Sequence, residues 1–133
     1  MENKNIIIII IAALCLTIMA CKYETDTCHR TLYIKNISNK DIYWMQFSSD
    51  TILDRAYKAI YKLKKSETYG TRPSLDCIEV TLDQGQRTYL TLLDAAVVES
   101  TPWDTICKKD MVLKRYKLSV ADLMRMDFTV TYP

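Results

Sequence analysis

The sequence predicts a mainly β, α+β domain: an antiparallel, β-sandwich-like packing with two or three short helices. Three observations predict it. Short segments alternate apolar with other residues at period two, the first at residues 31–36 (TLYIKN) and the last at residues 128–132 (FTVTY). Two helix-start signatures punctuate the last third, at Thr101-Pro102-Trp103-Asp104 and at Ser119-Val120-Ala121-Asp122. The chain beyond residue 20 is long enough to enclose one core between two layers.

The first element is an apolar block at residues 6–20, broken only by Thr17 and preceded by Met1-Glu2-Asn3-Lys4-Asn5. A membrane-crossing helix takes roughly 20 apolar residues, so this block is short for a permanent span. A basic start, an apolar region of about 7–15 residues and a small residue at its end are the parts of an export signal. Ala20 suits the last position before cleavage, but Ile18 is large for an ordinary signal-peptidase site. Ile18-Met19-Ala20-Cys21 instead resembles a bacterial lipobox, with Met19 an unusual residue at its second position. Cys15 follows Leu14 and fits that pattern poorly.

The resemblance implies that residues 1–20 are removed and that Cys21 receives lipid, palmitate-type acyl chains replacing the helix as membrane anchor. Each buried methylene contributes about 0.8 kcal/mol, so two or three chains hold firmly. Residues 21–30 then form the lipidated cysteine and tether, and residues 31–133 the single β-rich globular domain. Lys22-Tyr23-Glu24-Thr25-Asp26-Thr27 is short and polar, and is loosely similar to the export signal of Bacteroidota surface lipoproteins. The expected location is the cell envelope, anchored in the outer membrane on its surface or periplasmic face.

Along the expected domain, residues 31–36 read as a strand, a turn-rich stretch at residues 36–41 follows, and IYWMQF (Ile42–Phe47) reads as a second strand. Together they predict an antiparallel hairpin with a longer loop. Residues 54–65 fit helix and strand equally: Leu53, Ala56, Tyr57, Ile60 and Tyr61 recur at helical spacing, while Tyr57, Ala59, Tyr61 and Leu63 alternate. Residues 74–82 (SLDCIEVTL) carry the same conflict, with Ser74 a helix cap in one reading. RTYLTLL at residues 87–93 predicts a buried strand. In the last third, Thr101 is the expected cap of one helix with Pro102 in its first position, and Ser119 the cap of another. Residues 112–118 are a candidate strand between them, and Phe128, Val130 and Tyr132 give the closing strand.

The pieces PWDTI, LKRY, LSVADL and TVTYP, all within residues 101–133, resemble the end of small Bacteroidota lipoproteins of unknown function, and YIKNISNKDIYW resembles their first hairpin. The likeness covers about half of the expected mature chain. It implies an acidic helix before the central strand, which favours helix at residues 74–82, and it brings no catalytic residues.

Composition bounds the chemistry. Net charge is +2, and the export signal carries one charge of each sign, so the balance survives its removal. That balance does not suggest a nucleic-acid partner. The basic run Lys58, Lys62, Lys64 and Lys65 reads as a solvated face. With two glycines in the chain, phosphate-cradling loops are absent. Beside Cys15 and Cys21, three cysteines remain, Cys28, Cys77 and Cys107: at most one disulfide, its pairing open.

His29 is the single histidine, which excludes His-pair metal motifs. Cys28, His29, Cys77 and Cys107 are too scattered for the close ligand pairs that zinc sites favour. Adjacent side chains on a strand face opposite ways, so Cys28 and His29 diverge rather than form a nucleophile–base pair. Asp50, Asp54, Asp104, Asp110 and Asp122 form no paired-carboxylate motif. No catalytic residue, cofactor or metal is therefore expected. Trp44, Trp103 and Tyr116 are candidate contact aromatics for glycan or protein, although core packing is the stronger reading of aromatics in a chain with nine tyrosines. The leading expectation is an anchored, non-enzymatic binding module for protein or glycan; next comes a structural subunit of an envelope complex, and third an unrecognised enzyme.

Overall fold

The structure, a computed structural model, describes residues 25–48, 60–82 and 85–133. The expected export signal at residues 1–20, Cys21, Asp50, Asp54 and Lys58 lie outside the described residues, as do Leu53, Ala56, Tyr57 and Ala59 of the ambiguous segment. The fold is α+β, and the described residues form seven strands in two sheets with four short helices. In chain order these are β1 (Tyr33–Asn36), β2 (Ile42–Phe47), β3 (Tyr61–Leu63), β4 (Thr68–Gly70), α1 (Ile78–Leu82), β5 (Thr88–Asp94), α2 (Ala95–Ser100), α3 (Trp103–Lys109), β6 (Lys114–Leu118), α4 (Val120–Arg125) and β7 (Thr129–Tyr132). One sheet has the order β4-β1-β7 and the other β3-β2-β5-β6. All pairings are antiparallel except β1 with β7, which is parallel.

The expected β1–β2 hairpin does not form. The two strands belong to different sheets, so the turn between them carries the chain from one layer to the other. Buried Asn36 explains the crossing. Its Nδ2 donates to the carbonyls of Lys40 (2.8 Å) and Lys64 (3.1 Å), while its Oδ1 accepts from the Ser38 backbone N–H at 3.1 Å. The end of β1 is thereby fixed to its own turn and to the β3–β4 turn, and β4 and β7 occupy its edges. The β3–β4 turn also switches layers.

The main core lies between the sheets. Leu32, Ile34, Phe128 and Val130 from one layer meet Ile42, Trp44, Leu63, Leu90, Leu92 and Leu118 from the other, and Leu123 of α4 joins them. A second, smaller core on the outer face of the four-stranded sheet groups Met45, Leu93 and Ile106 with Tyr43, Phe47, Val97, Trp103 and Cys107. Strand β5 is therefore buried on both faces, which is why Leu90, Leu92 and Leu93 do not follow a simple alternation.

Residues 78–82 are helical, as the family likeness implied, but the helix begins at Ile78, well after Ser74. Ser119 caps α4 through a reciprocal box with Asp122. Thr101 instead ends α2, its backbone N–H donating to the carbonyl of Val97. The residue leading into α3 is Pro102, which offers no side-chain cap. Helix α2, capped by Asp94, brings the count among the described residues to four, where two or three were expected.

Candidate functional site

Sheet switching brings together residues far apart in sequence. Trp44 on β2 lies directly across from Tyr61 on β3. After the β3–β4 turn, Tyr69 reaches the same place from the other sheet. The Trp44 ring stacks on Tyr61 at 5.0 Å between centroids and meets Tyr69 at 5.6 Å; the two tyrosine rings lie 6.2 Å apart with only 21° between their planes. Trp44 is 3% exposed, whereas Tyr61 is 49% and Tyr69 37% exposed. The trio is thus a buried indole floor with two solvent-facing phenol rings. Such rings are apolar on their faces and polar at their tips, which suits them to wet contacts.

These aromatics form one wall of a cleft of about 530 Å3. That volume falls within the roughly 300–1,000 Å3 of small-molecule sites. The cleft opens where the two sheets meet α1 and α4. Leu32, Ile78, Leu82 and Leu123 supply apolar floor, and Gln46, Ser48, Thr71, Thr81, Gln86 and Thr88 supply hydroxyl and amide groups. Gln46 Nε2 donates to Thr88 Oγ1 at 3.0 Å, and Thr71 Oγ1 accepts from the Leu32 backbone N–H at 3.0 Å. The buried Trp44 Nε1–H has no acceptor among the described residues. Arg30, Arg72 and Arg87 also line the cleft, and no carboxylate does so among the described residues. Arg87 lies 3.6 Å from Asp122 Oδ2. Exposed Arg72 has no hydrogen-bond or ion-pair partner among the described residues.

No known family model, curated protein or solved structure matches this chain. The site must speak through its own geometry.

Of the three candidate contact aromatics, only Trp44 reaches the cleft. Trp103, the first residue of α3, packs against the second core. Tyr116 on β6 packs against the main core and directs its hydroxyl to the Thr131 carbonyl at 3.4 Å. Tyr69 and Arg72 carried no sequence signal: Tyr69 sits in a three-residue strand flanked by residues without alternation, and Arg72 lies in the loop after it. Tyr61 did carry one, in its alternation with Leu63.

Cys28 and His29 lie outside the strands and take separate partners. Cys28 forms a disulfide with Cys77, leaving Cys107 as the cysteine outside it among the described residues. His29 stacks on Phe128 at 3.8 Å between centroids. Its Nδ1 lies 2.5 Å from Glu79 Oε1, and its backbone N–H donates to both Glu79 oxygens at 3.1 and 3.0 Å. Burial opposes ionisation of Glu79, but the hydrogen bonds from His29 hold its carboxyl below the usual range. The arrangement clamps the start of the domain onto α1. With its sulfur bonded to Cys77, Cys28 has no thiolate to offer beside this pair. Among the described residues no three histidine, cysteine or acidic side chains gather to hold a metal, and no helix is long and apolar enough to cross a membrane.

Among the basic run, Lys62 is held by Glu99 at 2.6 Å on the outer surface. Lys64 and Lys65 are exposed.

Proposed function

We propose that this protein is a lipid-anchored, non-enzymatic envelope module that binds its ligand, a glycan or a protein segment, in the cleft between the sheets. The carrying observation is the aromatic wall: two exposed tyrosines over a buried tryptophan, at the mouth of a concavity that mixes apolar floor with hydroxyl and amide groups. Such a wall offers a ring or an extended chain a flat face, and the polar groups fix its orientation. The His29–Glu79 pair supports a structural role, since both groups are engaged in holding the first described residues to α1. Anchoring rests on the apolar block and the Ile18-Met19-Ala20-Cys21 pattern.

The test is capture from native envelope with the full, anchored chain and with its Tyr61→Ala/Tyr69→Ala variant. A ligand retained by the parent and lost by the variant supports the cleft. Equal capture by both would place binding elsewhere. A second reading, an accessory subunit of an envelope complex, is favoured by exposed Leu75, Val80 and Met124, at 90%, 66% and 55%. Val80 and Met124 lie on the neighbouring helices α1 and α4. Capture unaffected by the cleft variant but lost in Val80→Ser/Met124→Ser would support that reading.

A further inference from the structure

The charge of the cleft narrows the ligand class. Three arginines line it and no carboxylate does so among the described residues. Two acidic groups on the helices beside the cleft are turned to other tasks. Glu79 of α1 is held by His29, and Asp122 of α4 closes its helix cap while lying 3.6 Å from Arg87. Arg87 is thus partly compensated from outside the cleft, whereas Arg72 is exposed and has no ion-pair partner among the described residues. A guanidinium offers a planar fork that matches a carboxylate or a sulfate. The Tyr61 and Tyr69 faces lie in the wall of the same cleft. Hydroxyl and amide side chains in the same lining give a polyhydroxylated ligand the partners that a purely apolar chain would leave idle.

Resting on the cleft reading above, we propose that the ligand is an acidic saccharide, its ring lying against Tyr61 and Tyr69 and its anionic group paired with Arg72. The shared chemistry is an anion on a sugar ring, carried by either a carboxylate or a sulfate.

The experiment is calorimetric titration of the full-length protein in detergent with three short oligosaccharides. One is an oligogalacturonate (carboxylates only), the second a carrageenan fragment (sulfates only), and the third the fully methyl-esterified oligogalacturonate. At least one acidic probe should bind about tenfold or more tightly than the neutral ester, the value of a charge-assisted hydrogen bond. Arg72→Met should erase that preference, Arg72→Lys should restore part of it, and Tyr61→Ala should weaken every probe that binds. Arg72 is exposed, so its replacement leaves the core intact, and circular dichroism verifies this. Whichever acidic probe binds identifies the anion. Equal binding of the neutral ester would overturn the acidic inference, and a preference that survives Arg72→Met would overturn the pairing with Arg72; both results leave the aromatic cleft standing. Absence of binding by all three would overturn the saccharide assignment, and the capture experiment would then decide the cleft by itself.

Discussion

Ser119 and Asp122 show how much two side chains can settle. The Ser119 hydroxyl accepts from the Asp122 backbone N–H at 3.2 Å, and Asp122 Oδ2 accepts from the Ser119 backbone N–H at 2.9 Å. Hydrogen bonds from Ser119, side chain first and then backbone, together with Arg125, lower the Asp122 carboxyl from 3.8 to about 2. A carboxyl depressed on folding contributes stability that is present above its unfolded pKa and lost as pH falls through the folded one. Thermal unfolding should therefore show a loss between pH 3.8 and about 2 that Asp122→Asn flattens. An identical acid limb in the variant would contradict the box. Ser119→Ala should cost about 1 kcal/mol at neutral pH, measured by urea denaturation. The pair was legible in the sequence because a cap needs only four consecutive residues. Asn36 was not, since its partners at Lys40 and Lys64 are supplied by two separate turns.

At the scale of elements, legibility followed how far each signal reaches. β2 and β5 were readable because burial writes directly into their apolar content. The β1–β2 hairpin was misread, because a turn-rich stretch announces a reversal but not which sheet the returning strand joins. Helix α2 was missed because its two valines favour strand and it follows β5 without a loop. Nor did any glycine mark the step from α4 into β7. Asp127 and Phe128 both take left-handed backbone angles, φ 48° and 49°, a conformation usually left to glycine or asparagine. Phe128 is held there by burial and by its stack on His29. β7 then pairs along the whole of β1, with Val130 fully buried. Phe128→Ala should lower stability by about 3–5 kcal/mol. Deleting residues 127–133 should remove most of the margin of a fold whose net stability is about 5–15 kcal/mol. An unchanged melting temperature after that deletion would refute the parallel β1–β7 pairing.

For the molecule as a whole, the disulfide and the layer switches do the positioning. Cys28 and Cys77 are 49 residues apart in sequence, and joining them ties the first described residues to α1, one side of the cleft. A loop of that size is worth about 4 kcal/mol in the chain-entropy account. Reduction should lower the melting temperature, and Cys28→Ser/Cys77→Ser should reproduce the loss without reductant. Unchanged melting in both would mean the staple carries no stability. The cleft itself was not written in any one stretch of sequence. Trp44, Tyr61, Tyr69 and Arg72 sit on strands and loops of two different sheets, and only the crossings at Asn36 and at the β3–β4 turn bring them together. The central claim, that this concavity is where the protein binds, has a direct optical test. The chain holds two tryptophans, so Trp103→Phe leaves Trp44 as the sole indole reporter. Titrating that full-length variant with oligogalacturonate and carrageenan fragments should give a saturable change in Trp44 emission that Tyr61→Ala/Tyr69→Ala abolishes. Constant emission would overturn the saccharide assignment and leave the cleft to the capture experiment, whereas emission that changes equally with and without the two tyrosines would contradict the account.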